Sequence, residues 1–523
     1  MGMNFRASPG ATGDGERGNT QARPASGEIE RGNMAGPDGT DGTDGDTALQ
    51  IAIEDVGDDR DPSTLRNIDP DRTGPDATAD PPPDIPDDPD SEGLMDIEIR
   101  SGNVPRRGDQ VSLQRPRDRP GRYCRRSPPE QQQSMKPPLI TRIETFEFTV
   151  NLRNISGSSS GLGLIYTPGD QGTVGRSAMR IETDAGVSGE AAGQMIMAVR
   201  QADLVARFLI GRDARQRNEI YRDLLFELRQ HDALAIGLID ICLWDLAGKL
   251  YDAPVYELLG GRRRPLRAYA STYHGDRVGG LDSAQAYADF AVRCQQMGYT
   301  AFKIHGWIDA DPGEEIATIH AVRDAVGDSM ALMSDPACAI ATFVEAVRVG
   351  RACDEAGFAW YEDPLWEGGK SFHVHRMLRE KLQTPLLMSE YLRGLMAHTD
   401  AAIAGATDIL RVDAYQDGGI TGAMKIAHVA EGLGLDVEIH SHSPAHRHLM
   451  TALRNTNFYE MNLVHPDPKA DTSAVNTYTN YRDGLDAIDD QGCVYAPEGP
   501  GLGAQVDWDY IHAHRTGGAV YER

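Results

Sequence analysis

The chain has 523 residues, with 52 Lys and Arg against 79 Asp and Glu and a formal net charge of −27, and this acidity argues against binding nucleic acid through its phosphates. No apolar run reaches the roughly 18 residues that a membrane span needs. From the charge and from these short apolar runs, we expect neither a nucleic acid nor a membrane as partner. The six cysteines form no CxxC pair and the N-terminus lacks a signal-peptide pattern, which indicates a cytoplasmic protein with reduced thiols.

Residues 1–134 form the first predicted region, a low-complexity extension. Its segments 36–45 and 80–90 are rich in Gly, Pro and Asp, and they cannot bury enough apolar surface to offset the entropy of ordering the chain. We expect this region to be disordered, or to be absent from the mature protein, because a strand pattern follows Met135 almost at once. The basic run 115–126 is more typical of solvated charge than of a nucleic-acid-binding tail.

Residues 135–265 predict an α+β region. Residues 140–150 and 177–183 have the alternating pattern of strands, and the Gly- and Ser-rich residues 154–173 between them predict a mobile loop. Apolar residues then recur with helical periodicity. The predicted helices are 195–211, 215–229 and 234–251.

Residues 266–465 alternate short apolar runs with amphipathic helical stretches. This alternation predicts parallel strands joined by right-handed crossovers, and eight such units close naturally into a barrel. The alternative is an open doubly wound sheet, but its glycine-rich phosphate turn is missing from the sequence. The eight predicted strands are 266–272, 300–305, 330–335, 358–362, 385–390, 407–413, 435–440 and 457–460. Residues 466–523 follow as a C-terminal segment.

Carboxylates end three successive predicted strands, at Asp335, Glu362 and Glu390. Barrel enzymes hold their chemistry at the carboxyl ends of the strands. Three carboxylates brought close together repel each other unless a cation neutralises them, and Mg²⁺ prefers oxygen ligands. The pattern therefore predicts a Mg²⁺ site, whereas the alternative is three separate acids that cap helices.

Basic and acid–base groups end the other strands. Lys303 and His305 share one strand face, and a buried lysine beside a second cation is expected to have a lowered pKa; the alternative is a structural ion pair. Asp413 and His440 end neighbouring strands, where a carboxylate can orient an imidazole for proton transfer. The histidines of 440–448 could alternatively form a zinc cluster.

Together these features resemble the enolase superfamily, and within it the mandelate racemase subgroup of acid-sugar dehydratases and racemases. The resemblance covers residues 135 to about 508. Its most specific stretches are the segment Ala235–Gly248 with Pro254 and Leu258–Gly261, the sequence Trp360–Pro364, Asp413 with Gly418–Thr421, and Gly499–Gly503.

The resemblance implies an α/β fold: an α+β capping domain (135–265) over a (β/α)7β barrel (266–465), with residues 466–523 returning to the cap and loop 154–173 as the lid. It implies one Mg²⁺ per subunit on Asp335, Glu362 and Glu390, with Mn²⁺ as an alternative ion. It further implies Asp413 and His440 as the acid–base pair, a Glu460 that hydrogen-bonds a substrate carboxylate, and assembly as dimers or octamers.

One departure favours dehydration: many relatives have Lys-x-Lys where this chain has Lys303 and His305. We expect a sugar acid, either an aldonate or an aldarate, to lose its α-proton to the Lys303/His305 pair. The enediolate would be stabilised by Mg²⁺, Lys303 and a protonated Glu460, and His440 would protonate the leaving hydroxyl to give a 2-keto-3-deoxy acid. Substrate stereochemistry decides which imidazole is the base. The residues expected to contact substrate are Tyr166, Tyr273, His274, Trp307, Arg393 and Tyr415.

Two alternatives to a dehydratase stay open. The first is a racemase, epimerase or cycloisomerase of the same superfamily. The second is a non-catalytic sugar-acid-binding protein.

Overall fold

The computed structural model describes residues 136–157, 164–193, 195–309, 311–470 and 477–523. The predicted extension 1–134 lies outside these residues. In the part of the chain that is described, no helix is long and apolar enough to cross a bilayer.

An antiparallel sheet forms the first layer. Alternate residues of its first strand, among them Phe146 and Phe148, are fully buried, which is the period-2 pattern of a sheet with one face on the core. The strands are β1 (Ile140–Gly157), β2 (Leu164–Thr183), β3 (Ser188–Gly193), β13 (Arg515–Gly517) and β14 (Val520–Glu522). They lie in the order β13-β1-β2-β3, and β14 also pairs with β1, so the C-terminal residues return to this sheet.

The predicted mobile loop is wrong for residues 154–157 and 164–173, which belong to the long hairpin of β1 and β2, and residues 158–163 lie outside the described residues. Ile155 pairs with Tyr166, and Gly157 pairs with Leu164. A Cβ on Gly172 would lie 2.4 Å from the carbonyl oxygen of Ile155. Glycine there serves the close approach of two strands rather than flexibility.

Four helices follow β3 in the chain, of which α1 and α3 pack on the sheet and α3 also links it to the barrel. Helix α3 is buried along most of its length, as its continuous apolar sequence requires. A Cβ on Gly237 would lie 2.3 Å from the carbonyl oxygen of Tyr415, so the lack of a side chain lets α3 approach the barrel loop there. The helices are α1 (Ile196–Leu209), α2 (Arg217–Glu227), α3 (Leu234–Tyr251) and α4 (Val255–Leu258).

Eight parallel strands separated by seven helices form the second part, which is the predicted (β/α)7β order. The strands are β4 (Leu266–Thr272), β5 (Ala301–His305), β6 (Ala331–Asp335), β7 (Trp360–Glu362), β8 (Leu386–Met388), β9 (Ile409–Val412), β10 (Asp436–Ile439) and β11 (Tyr459–Val464). The helices are α5 (Ala284–Met297), α6 (Pro312–Val326), α7 (Phe343–Ala356), α8 (Phe372–Arg379), α9 (Gly394–Ile403), α10 (Gly419–Gly432) and α11 (Pro444–Ala452). The short β12 (Cys493–Val494) pairs with β4, and α12 (Trp508–Ala513) precedes β13.

The barrel is circular because its last strand, β11, pairs with its first, β4. Between β10 and β11 the described residues form no continuous backbone ladder, and a side chain bridges the two strands. The buried carboxylate of Glu438 accepts the backbone N–H groups of Asn457, at 3.0 Å, and Phe458, at 3.1 Å. All eight strands therefore direct their carboxyl ends to the same rim.

A candidate active site at the carboxyl ends of the barrel strands

A cavity of about 280 Å³ opens at this rim. The predicted groups that line it are Lys303, His305, Asp335, Glu390, His440 and Glu460. Glu362 ends β7 behind this lining and is fully buried, and Asp413 follows β9 and contacts His440. The structure thus brings together, around one cavity, side chains that are spread over more than 150 positions of the chain.

The ammonium group of Lys303 is surrounded by carboxylates. Its Nζ donates to Asp335 Oδ2 and to Glu362 Oε2, each at 2.9 Å, and lies 3.0 Å from Glu460 Oε1. Burial alone would lower the pKa of Lys303, but the charges of Asp335, Glu362 and Glu460 raise it well above its usual value. The expected lowered pKa is therefore wrong for this conformation, since three anions outweigh the cost of burial.

Arg411 is a second buried cation, which the sequence analysis missed. It lies in β9 with no solvent exposure. Its Nε is 2.8 Å from Glu362 Oε1, and its Nη2 is 2.6 Å from Glu460 Oε2 and 3.1 Å from the Tyr269 hydroxyl. The available signal was an arginine inside the otherwise apolar strand Ile409–Val412, two residues before Asp413 and hence on the same strand face.

Glu460 is an ionised carboxylate in this structure. It accepts hydrogen bonds from Ser271 Oγ at 2.9 Å and from the backbone N–H of Ser441, besides its contacts with Lys303 and Arg411. Burial would raise the pKa of Glu460, but the two cations hold it well below its usual value. The expectation of a protonated Glu460 is wrong here, because every group around it donates and none accepts.

His305 is held at both ring nitrogens. Its Nδ1 lies 2.7 Å from the carbonyl oxygen of Thr272, to which it donates a hydrogen bond. Its Nε2 lies 3.0 Å from Asp335 Oδ2 at the cavity wall. The nitrogen that can exchange a proton with a bound molecule is therefore Nε2.

Asp413 and His440 form the predicted pair. His440 Nδ1 lies 2.8 Å from Asp413 Oδ2, and the other oxygen of Asp413 is 3.1 Å from Nε2 of His446. His440 Nε2 faces Glu390 Oε1 at 3.6 Å. Burial would lower the pKa of His440, but Glu390 and Asp413 raise it to about 9, so this imidazole carries a proton at neutral pH.

The carboxylates at this rim fit a hard cation in chemistry and charge. Asp335, Glu362 and Glu390 offer the oxygen donors that Mg²⁺ prefers. The charge of Glu390 is the main cause that raises the pKa of Tyr391 well above its usual value, so Glu390 contributes negative charge at this rim. Glu362 Oε1 also lacks a well-oriented hydrogen-bond donor.

The ligand set itself stays a prediction. Among the described residues, no three His, Cys, Asp or Glu side chains are grouped closely enough to hold a metal ion. Asp335 and Glu362 share the ammonium group of Lys303, whereas Glu390 faces His440. The same observation speaks against the zinc alternative, since His446 contacts Asp413 and His448 Nε2 lies 3.0 Å from the carbonyl oxygen of Leu502.

Two of the six predicted substrate contacts, His274 and Tyr415, line the cavity. Tyr273 and Trp307 are buried behind the wall, and Arg393 lines a different cavity. Tyr166 stacks on His465 with 4.1 Å between ring centres, and its hydroxyl donates to Asp467 at 3.3 Å, so it anchors the β1–β2 hairpin to the barrel. His442, from the histidine stretch 440–448, also lines the cavity, and the polar lining residues that the sequence analysis did not name include Arg176, Asn462, Tyr478, Tyr481, Arg482 and Asp483.

Comparisons with known proteins agree with this architecture. A family model described as "Enolase C-terminal domain-like" matches residues 286–510, and one described as "Mandelate racemase / muconate lactonizing enzyme, N-terminal domain" matches residues 170–260. The D-galactarolactone cycloisomerase of Agrobacterium fabrum is 31% identical over 322 residues, which cover 59% of this chain and 82% of that protein.

Two dehydratases are also similar. The D-gluconate dehydratase of Thermoproteus tenax is 28% identical over 340 residues, covering 62% of this chain and 65% of that protein. The crystal structure of D-glucarate dehydratase from Agrobacterium tumefaciens, complexed with magnesium, superposes with a TM-score of 0.64 and 28% identity over 73% of this chain and 100% of that chain.

Proposed function

Since this chain belongs to the mandelate racemase/muconate lactonizing enzyme family of the enolase superfamily, we propose that it dehydrates a sugar acid in a Mg²⁺-dependent reaction. The substrate is an aldonate or an aldarate, and the product is a 2-keto-3-deoxy acid. The D-gluconate and D-glucarate dehydratases among its relatives support this class.

The α-proton leaves first. His305 Nε2 takes it, since Nδ1 is committed to the carbonyl oxygen of Thr272. The electron pair of the broken C–H bond moves into the carboxylate and forms an enediolate. A Mg²⁺ ion held by Asp335, Glu362 and Glu390 would supply positive charge beside this developing anion.

Lys303 and Glu460 have supporting roles in this proposal. The protonated ammonium of Lys303 stabilises the enediolate through its positive charge, since its three N–H groups face Asp335, Glu362 and Glu460. Glu460, being ionised, donates no hydrogen bond to substrate, and it positions Lys303 and Arg411 instead.

His440 completes the reaction as the general acid. Its proton goes to the β-hydroxyl, which leaves as water while the enediolate electrons form the C=C bond of an enol. The enol then tautomerises to the keto acid. The observation that carries this assignment is the position of His440, which lines the same cavity as His305 but follows a strand on the far side of the barrel from β5. Its pKa is raised to about 9, and its Nδ1 is bonded to Asp413.

A screen of aldonic and aldaric acids with Mg²⁺ tests the proposal. Semicarbazide traps the keto acid, and the wild-type chain is expected to form it from at least one sugar acid. A chain in which His440 is replaced by Asn is the matched control, because it keeps the shape of the site without the transferable proton. Keto acid from no member of the library would contradict dehydration, and equal formation by the control would contradict the assignment of His440 as the general acid.

A second candidate function is racemisation, epimerisation or cycloisomerisation. The observation that favours it is an imidazole on each side of the cavity, His305 and His440, which gives a proton carrier for each face of the substrate. A cycloisomerase is also among the relatives. In D₂O such an enzyme would return isomerised, deuterated acid without keto acid.

A further inference from the structure

A second cavity, of about 240 Å³, is lined by residues of both the cap and the barrel. It is enclosed by the start of α2, by α3 and by the outer face of α10. Its polar lining is basic, in a chain whose net charge is −27. The lining residues that matter here are Arg215, Arg217, Asn218, Trp244, Lys425 and His428.

Arg217 is the central cation of this cavity. Its guanidinium stacks on the ring of Trp244 at 4.1 Å, and its Nη1 is buried without a hydrogen-bond acceptor among the described residues. Asp240 is the nearby carboxylate, but its oxygens accept from the N–H of Thr421 at 2.9 Å and from the Thr421 hydroxyl at 2.6 Å. A buried donor without an acceptor is costly, so an acceptor is missing at this place.

Lys425 is the second cation of this cavity that has no carboxylate partner among the described residues. Its Nζ donates to the side-chain oxygen of Asn218 at 3.0 Å, and within the described ranges no carboxylate lies within ion-pair distance. Arg215 differs, because its Nε and Nη2 contact Asp213 at 3.0 and 2.8 Å and its charge is thereby balanced. Among the described residues, Arg217 and Lys425 therefore have no carboxylate within ion-pair distance, although the charge of Asp240 acts on Arg217 from farther away.

We propose that this cavity binds a phosphate group, as free phosphate or as the ester of a small metabolite. Guanidinium groups match the oxygens of phosphate with parallel hydrogen bonds, and two unbalanced cations suit a dianion better than a single carboxylate. Helix α2 also begins at Arg217 without a side-chain cap, so its N-terminus adds partial positive charge. This inference is independent of the proposed dehydration.

Titration calorimetry on the full chain in EDTA, with inorganic phosphate against chloride at equal ionic strength, tests it. Phosphate is expected to bind the wild-type chain, and Arg217→Gln and Lys425→Gln are each expected to weaken binding about tenfold or more. Arg222→Gln is the matched control, since Arg222 lies on the same helix, 74% exposed and paired with Asp223. A second arm replaces phosphate with glucose 6-phosphate, and the tighter of the two ligands identifies the source.

Lys425→Gln carries the test if Arg217→Gln does not fold, because the lysine is only partly buried and lies on the outer side of α10. The proposal is overturned if the EDTA-treated wild-type chain binds neither ligand. It is also overturned if folded Lys425→Gln binds phosphate as tightly as Arg222→Gln does.

Discussion

The two sides of the active-site cavity differ in how their charges are balanced. On one side, Lys303 contacts Asp335, Glu362 and Glu460, and Arg411 contacts Glu362 and Glu460, all at 3.0 Å or less. We call these five residues the Lys303 cluster.

On the other side, His440 has one close partner. Its Nδ1 is held by Asp413, whereas its Nε2 lies 3.6 Å from Glu390 and the side chain keeps 18% exposure. The Lys303 cluster holds fixed charges for a developing anion, and the His440 side holds a proton that can leave. Donation of a proton to the leaving hydroxyl therefore belongs to the less tightly bonded of the two sides.

The largest expected effect comes from breaking the Lys303 cluster at Arg411. Arg411→Met leaves Glu362 and Glu460 with one fewer buried counter-charge, and removing one partner of a buried ion pair costs about 3–5 kcal/mol. The free energy of unfolding in urea measures the loss. Arg411→Lys is the control and is expected to recover part of it; a loss below about 1 kcal/mol in Arg411→Met would mean that the cluster is not interdependent.

The next effect is on the His440 side, through Asp413. Asp413→Asn removes an anion that favours the protonated imidazole, so the pKa of His440 falls below its present value of about 9. Losing a positioned acid of this kind reduces the rate by roughly 10²–10⁴-fold. A pH–rate profile, together with an NMR titration of the ring, measures both quantities.

Asp417→Asn is the matched control for that substitution. Asp417 accepts the backbone N–H of Asp413 at 2.9 Å and lies in the same loop. It should leave the His440 titration nearly unchanged. An unaltered His440 titration in Asp413→Asn would show that Asp413 does not set the protonation of this imidazole.

A pH-dependent effect is expected behind the Lys303 cluster, at Glu315. This buried carboxyl accepts the N–H of Trp307 at 2.9 Å, and burial raises its pKa to about 8. Between its usual value of 4.5 and about 8, the folded protein keeps a proton that the unfolded chain has released. Its contribution to stability therefore falls as pH rises, by up to about 1.4 kcal/mol per pH unit.

Glu315→Gln removes this titration while keeping the shape of the protonated side chain. The free energy of unfolding of wild type relative to the variant should decrease steadily from pH 5 to about pH 8. A constant difference over this range would mean that Glu315 ionises normally in the folded state.

The strand ends could be predicted from the sequence because a parallel barrel brings residues at equal positions of successive strands to one rim. That rule places Lys303, Asp335 and His440 at the same cavity. It says nothing of how close side chains come, so the pKa of Lys303 and the ionisation of Glu460 were predicted in the wrong direction. The anions that decide both values become neighbours only in the closed barrel.

The β1–β2 hairpin and the substrate contacts show a different limit. Glycine and serine within residues 154–173 predict mobility, but glycine is also typical of close backbone approach, and only the pairing of Ile155 with Tyr166 distinguishes the two. Arg176 reaches the cavity from the cap, because β2 crosses over the barrel rim. No local pattern in the sequence predicts that Arg176 lies at the same cavity as the strand ends of the barrel.

Exchange of the α-hydrogen in D₂O, followed by proton NMR on a substrate identified in the screen, tests the division of labour between the two sides most directly. In His440→Asn the sugar acid should exchange its α-hydrogen for deuterium without forming keto acid, since His305 still removes the proton. His305→Asn should show neither exchange nor product. Exchange retained in His305→Asn and lost in His440→Asn would contradict the account.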